Sequence, residues 1–136
     1  MQVKIVDWNS RDDIFFVRHC VFSLEQGIDT SLDFDGQDLE AVHAVVYAQN
    51  QPVATGRMLQ DGHIGRVAVL DSYRGKGLGA TTVNALVQQA KKQQFAKVYL
   101  GAQLHALDFY YKLGFSPFGE RYFEAGIEHQ SMQLVL

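Results

Sequence analysis

The run Arg74-Gly75-Lys76-Gly77-Leu78-Gly79 holds the residue types from which a phosphate cradle is built. It follows an apolar strand-like segment, His63 to Leu70, and opens a helix-like one, Gly77 to Gln93. The first N–H groups of a helix have no partner inside it, and glycine lets the backbone approach a ligand closely. Those donors, with the positive end of the helix dipole, suit a pyrophosphate. Two well-known phosphate patterns fail here. A Walker loop needs Lys-Ser/Thr after its last glycine, whereas Ala80-Thr81 follow Gly79 and Lys76 lies inside the run. A dinucleotide fold needs G-x-G-x-x-G and an acid about 20 residues on. This chain has G-x-G-x-G, and Val98 or Tyr99 stands in the acid's place.

The elements that must position the run can be read from periodicity. Gln2–Val6 alternates as a strand. Ser10 with Asp13 resembles an N-cap with an acid at N3, and Ile14, Val17, Val21 and Leu24 recur at helical spacing up to a stop at Gly27. Asp29 to Glu40 has loop character, with a short helix expected near its end. Val42–Ala48 and Val53–Leu59 form a hairpin across Gln49-Asn50-Gln51-Pro52, and Asp61-Gly62 turns the chain into Ile64–Leu70. In the helix after the glycine run, Val83, Leu86, Val87 and Ala90 make one buried face. Lys97–Ala102 is a further strand, and Leu104–Leu113 a shorter helix ended by Gly114. Strands at Ser116–Phe123 and Ile127–Val135 flank a turn at Ala125-Gly126. The order is β-α-β-β-β-α-β-α-β-β, a single α/β domain over residues 1–136 with a mixed sheet.

Composition narrows the function. With 136 residues, 47% of them apolar and 20% charged, the chain can bury a real core. No stretch approaches 18 consecutive apolar residues, so no membrane span is expected. Met1 leads straight into the first strand, which does not read as a signal peptide. Cys20 is the only cysteine, which excludes disulfides within the chain and thiolate clusters and fits a reducing, cytoplasmic setting. The net charge of −3 argues against general nucleic-acid binding. From His19 to Gly56 there are six acids (Glu25, Asp29, Asp33, Asp35, Asp38, Glu40) and no Lys or Arg. From Ser72 to Leu107 there are five bases (Arg74, Lys76, Lys91, Lys92, Lys97) and no acid. Either the halves attract ligands of opposite charge, or they are two solvated faces. The five histidines are scattered without ligand spacing, so no metal site is expected.

Arg74-x-x-Gly77-x-Gly79 resembles the Arg/Gln-x-x-Gly-x-Gly/Ala motif of the GNAT superfamily of N-acetyltransferases. Ala106-x-x-Phe109-Tyr110-x-x-x-Gly114-Phe115 resembles that family's later helix and strand. The N-terminal Arg18-x-x-Val21-Phe22-x-x-Glu25-Gln26-Gly27, with Asp38-x-x-Ala41-x-His43, is similar to the ElaA-type branch. So is the end, Phe123-Glu124-Ala125-Gly126-Ile127-Glu128-His129-x-x-Met132. The glyphosate-type acetyltransferases show a comparable layout. The resemblance covers essentially the whole chain. It implies a GNAT-like, mostly antiparallel mixed sheet flanked by helices, in a monomer or homodimer.

It also implies roles. Arg74, Gly75, Lys76, Gly77, Leu78, Gly79 and Ala80 would bind the pyrophosphate of acetyl-CoA. Backbone groups of Val67, Ala68 and Val69 would meet the pantetheine and thioester in a strand kinked away from Lys97–Ala102. Those three also read as plain core. Gln103 stands where GNAT proteins often carry Asn and would contact pantetheine through a longer amide. Tyr110 matches the general acid at the CoA sulfur, or is an aromatic of the core; Tyr111 points about 100° away. His129 corresponds to the histidine base of the glyphosate-type enzymes, or is a strand histidine satisfied by a neighbour. His43 and Glu25 are alternative bases acting through water. Arg18 and Arg66 match arginines that hold a substrate anion, which implies a carboxylate beside the amine. The alternative for both is ion pairing with Asp33, Asp35 or Asp38.

The expected function is direct acetyl transfer from acetyl-CoA to the amine of a small, amino-acid-like molecule. A protein or peptide acceptor and a non-catalytic acyl-CoA sensor are the alternatives.

Overall fold

The computed structural model describes residues 1–136, the side chain of Leu32 apart. Strand β1 is Gln2–Val6, helix α1 Arg11–Arg18, and a π-helical segment follows at His19–Glu25. Helix α2 is Thr30–Asp33; strands β2, β3 and β4 are Val42–Ala48, Gln51–Met58 and Ile64–Val69. Helix α3 is Leu78–Lys92, β5 Lys97–Gln103, α4 Leu107–Lys112, β6 Ser116–Pro117, β7 Tyr122–Glu124 and β8 Ile127–Val135.

Two antiparallel sheets result, β1-β2-β3-β4 and β5-β8-β6, with β7 also on β8. Among the described residues, their backbones join only at a parallel bridge between His63 and Tyr99. Past it, β4 and β5 diverge. What holds the sheets together is α3. Its Val83, Leu86, Val87 and Ala90 pack on Ala44, Met58 and Ile64 of one sheet and on Val98, Leu100, Ala102 and Met132 of the other. Each such side chain is worth about 1.5–3 kcal/mol when fully buried. That core lets the strands separate without the halves parting.

The order of elements is the expected one, and several local details differ. Ser10 makes no side-chain cap; Asp7 caps a 3-10 turn at Trp8–Ser10 instead. Asp13 is taken by the Tyr47 hydroxyl at 2.6 Å. Ile14, Val17 and Val21 are buried as their spacing requires, but Leu24 is 69% exposed. The π turn explains it: Gln26 N–H donates to Val21 O, five residues back, which turns Leu24 off the apolar stripe. The short helix lies at the start of the acidic stretch, where Asp29 accepts from Ser31 N–H, and not near its end. The hairpin turns at Gln49-Asn50 alone, both left-handed, so Pro52 falls inside β3 beside a register shift at Val46/Tyr47. The strand expected at Ser116–Phe123 is two pieces, because Pro117 has no N–H to extend the ladder and Gly119 takes a φ of 69°.

Candidate active site

The opening between β4 and β5 begins at a bulge. Thr55 pairs with Ala68 and Arg57 with Gly65, so Gly56 alone opposes both Arg66 and Val67. Arg66 takes a φ of 52°, costly for a side chain of its size, by about 1–3 kcal/mol. Beyond it, Ala68 and Val69 bond to β3 on one edge, leaving the other toward the gap. The Ala68 side chain is buried with Val17 and Val21, and Val67 packs on the main core. The core and cofactor readings of this strand are therefore compatible, since a ligand in the gap would use only backbone.

At the end of β4 a 3-10 turn, Asp71–Tyr73, leads into the glycine run. Gly75 and Gly77 have φ of 76° and 78°, and a Cβ on either would project into open space. The first bond of α3 runs from Thr81 N–H to Gly77 O, so Leu78, Gly79 and Ala80 N–H precede the helix's own ladder. Glycines that leave their Cβ space empty, set against those amides, fit a pyrophosphate.

The Arg74 side chain braces the loop. Its guanidinium donates to Val69 O at 3.0 and 3.2 Å and to Glu25 at 2.5 and 2.6 Å. It therefore braces the strand end and ties the loop to the π-helical segment. Glu25 is partnered in this exposed pair, whose hydrogen bonds hold its carboxyl below the usual range. A hollow of about 420 Å³ beside the pair is walled by Cys20, Val21, Leu24, Leu70 and Asp71. The Lys76 ammonium lies 5.2 Å from the Tyr73 ring.

Three acids of the acidic stretch, Asp33, Asp35 and Asp38, are taken by arginines, while Asp29 and Glu40 are exposed. Arg18, 1% exposed, donates through Nε to Asp33 at 3.1 Å, through Nη1 to Asp38 at 2.7 Å and through Nη2 to Asp33 O at 2.7 Å, with Phe34 4.3 Å away under its plane. Arg57, which the sequence did not single out, forks onto Asp35 at 2.9 and 2.7 Å and reaches Asp38 at 3.1 Å. Its hydrogen bonds drive the Asp35 carboxyl far below the ordinary carboxylate range. Arg66 meets Asp33 at 3.2 Å and Asp35 at 3.4 Å. Three arginines against three aspartates close a balanced network. Arg18 is an internal ion pair, not a substrate contact, and Arg66 is half-buried with its charge matched.

His43 is likewise interior. It is fully buried in β2, its Nε2–H donates to Asp38 O at 2.9 Å, and Trp8 stacks on it at 5.3 Å. It cannot act as the base through water from there. Burial lowers its pKa, and that of His63, from the ordinary 6.5. Unfolded histidines therefore bind protons that these two refuse. Stability is present above the unfolded value and is lost as pH falls through and below it. Thermal melts between about pH 7.5 and about pH 5 should show a falling Tm. His43→Gln keeps a donor for Asp38 O, cannot titrate, and should flatten the decline; a Tm that rises on acidification would contradict the assignment.

Tyr110 projects from α4 onto the main core, edge-on to Phe109 at 4.9 Å and Phe115 at 5.8 Å. Burial pushes its hydroxyl pKa above 10, so it keeps its proton throughout neutral pH. Gln103 closes β5 directly opposite His129 of β8. His129 is nearly buried; its Nδ1–H donates to Ile127 O at 2.7 Å, and the Tyr122 ring stacks on it at 5.5 Å. Tyr122 was not singled out in the sequence either. Its sign was the pairing across Ala125-Gly126, which puts it beside His129.

Comparison with known proteins agrees with this geometry. The sequence model of the Acetyltransferase (GNAT) domain matches residues 30–136. The uncharacterized N-acetyltransferase YjcF of Bacillus subtilis (strain 168) is 36% identical over 124 residues, 88% of this chain and 89% of that protein. Among solved structures, Escherichia coli ElaA superposes with a TM-score of 0.86 at 28% identity, over 98% of this chain and 99% of its own. An acyl-CoA N-acyltransferase from Pseudomonas aeruginosa gives 0.84 at 29%, over 98% and 97%. With the diverging strands, the open glycine loop and the buried tyrosine already in place, these likenesses establish that the chain belongs to the GNAT family of N-acetyltransferases.

Proposed function

We propose that this enzyme moves an acetyl group directly from acetyl-CoA to the primary amine of a small molecule. The observation that supports this most is the gap between β4 and β5, which runs from the bulge at Arg66 to the open glycines at the head of α3. Acetyl-CoA supplies an activated acyl group as a thioester, and the residues around the gap supply the rest. Backbone groups of Val67, Ala68 and Val69 would align the pantetheine and meet the carbonyl oxygen as it gains charge. The amides from Arg74 to Ala80 would take the pyrophosphate, and Gln103 would reach the pantetheine from the end of β5.

Tyr110 would donate to the sulfur. Ordinary values of about 10 for a phenol and about 8.5 for a thiol put full proton transfer uphill by about 2 kcal/mol. Burial of Tyr110 widens that gap, so a hydrogen bond that strengthens as thiolate forms is the favoured role. His129 would take the amine proton on Nε2. The amino-acid-like acceptor rested on Arg18 and Arg66 holding a carboxylate; with Arg18 sealed and Arg66 matched by Asp33 and Asp35, the acceptor is assigned only as a small amine.

Release of CoA thiol from acetyl-CoA, measured across a panel of amines, tests this. Wild type should turn over at least one small amine. Tyr110→Phe should lower kcat by about a hundredfold with acetyl-CoA affinity kept, the low end of the scale for one positioned acid. Acetyl-CoA binding with no turnover on any amine would favour the sensor reading, and unchanged kcat in Tyr110→Phe would remove the tyrosine from the chemistry.

A further inference from the structure

The hairpin of β7 and β8 turns at Ala125-Gly126, with φ of 53° and 75°, both left-handed. A two-residue turn of this kind sets register tightly. It places Tyr122 opposite His129, and β5 places Gln103 on the other side of that histidine. His129 is thus the middle of a row across three strands that ends at the strand bordering the gap.

Two restraints act on its ring. Ile127 O can only accept, so Nδ1 carries the hydrogen of their 2.7 Å bond, and in the neutral ring Nε2 holds the lone pair. That bond selects which ring edge faces which way. The Tyr122 ring, 20° from parallel, limits rotation about the bond that carries the imidazole. Glu124, 71% exposed, lies 4.0 Å from Nε2 at the rim, beyond hydrogen-bond range.

Tyr122 is itself seated. A Cβ on Gly101 would lie 2.1 Å from the Tyr122 hydroxyl oxygen and 3.4 Å from the carbon bearing it. Gly101 is mid-strand with no left-handed φ to require glycine, and glycine there weakens a strand. The close approach of Tyr122 supplies the reason for it. Ser131, directly across from Gly101, flanks the same seat and acts on the hydroxyl's ionisation, which burial and Glu124 raise.

We infer that Tyr122, seated over Gly101, is a positioning residue that holds the His129 imidazole with Nε2 directed to the acceptor. This rests on His129 as the base. The test uses Tyr122→Leu, Tyr122→Phe, Gly101→Ala and the double variant Gly101→Ala/Tyr122→Phe. It reads kcat and KM for acetyl-CoA, the His129 tautomer by ¹⁵N NMR, and the urea midpoint as a check of folding.

Tyr122→Leu should lower kcat by about tenfold or more, the scale of a small misplacement of a reacting group, with KM for acetyl-CoA unchanged. Its His129 ring, free to rotate, should lose part of the Nδ1–Ile127 O bond and with it the single tautomer. Tyr122→Phe keeps the stacked ring and should retain kcat within about threefold. Gly101→Ala displaces the hydroxyl and should behave as Tyr122→Leu does. Adding Tyr122→Phe removes the oxygen that the new methyl strikes and should restore kcat.

A folded double variant no more active than Gly101→Ala would overturn the inference, as would an unchanged kcat and tautomer in Tyr122→Leu. Should His129→Gln keep full activity, the base reading falls by itself. The tautomer measurement then decides alone whether Tyr122 positions the ring.

Discussion

Gly77→Asp should weaken acetyl-CoA binding at least a hundredfold while leaving a folded protein. The residue precedes α3 with a φ of 78°, where any side chain adds about 1–2 kcal/mol of strain. Its Cβ would enter the open space ahead of the helix amides. A carboxylate there does two further things. It meets pyrophosphate charge at a few ångströms, where like charges near a protein surface repel by about 4 kcal/mol before screening. It can also accept from the helix amides that the ligand needs, since Asp is a favoured residue at a helix start. That second effect offsets part of the strain, so the thermal midpoint should move by only a few degrees, about what 1 kcal/mol does in a domain of this size. Calorimetric titration with acetyl-CoA reads the affinity. Gly77→Ala, with the strain and without the charge, should lose about tenfold. An aspartate variant that binds within threefold of wild type would show that the cofactor's phosphates lie elsewhere.

Arg18→Met should cost about 3–5 kcal/mol of folding stability, the usual loss when one member of a buried pair is removed. Two carboxylates, Asp33 and Asp38, would lose their nearest buried cation, and Asp33 O would lose a donor. For a domain whose whole stability is about 5–15 kcal/mol, that is a large share. Urea denaturation measures it. Asp33→Asn in the same background takes away one of the two carboxylates that Arg18 paired and should return about 1–3 kcal/mol of coupling. Among molecules that stay folded, KM for the acceptor should be unaltered. A loss under about 1 kcal/mol joined to a tenfold rise in acceptor KM would return Arg18 to the acceptor site.

The fold and the glycine turn ahead of α3 were legible because their physics is local. The order of strands and helices, the apolar stripe Val83-Leu86-Val87-Ala90 and a glycine run ahead of a helix depend on neighbours in sequence, and each reappears in the structure. The failures follow from events that spacing does not encode. A single π turn rephased Leu24 out of its stripe, and Pro117 cut a strand in two. The acceptor end was less legible for a related reason. Arg18, Arg66, Glu25 and His43 carry functional chemistry in any sequence, and whether a charge faces a ligand or a counter-charge is decided by residues far along the chain. Arg57 and Tyr122 passed unnoticed because neither lies in a motif; each gains its meaning from a partner across a strand pair or from the loop that closes over it.

By itself, then, the sequence determined an α/β chain and a glycine turn from Arg74 to Gly79 at the head of a helix, since helix dipoles, free amides and glycine conformations are properties of contiguous residues. The tertiary structure alone decided how the charged and titratable groups are used. Burial raises the cost of an unmatched charge, so Arg18, Arg57 and Arg66 were drawn to Asp33, Asp35 and Asp38, and His43 to a backbone carbonyl. That sorting leaves Tyr110 and His129 as the side chains proposed for the chemistry.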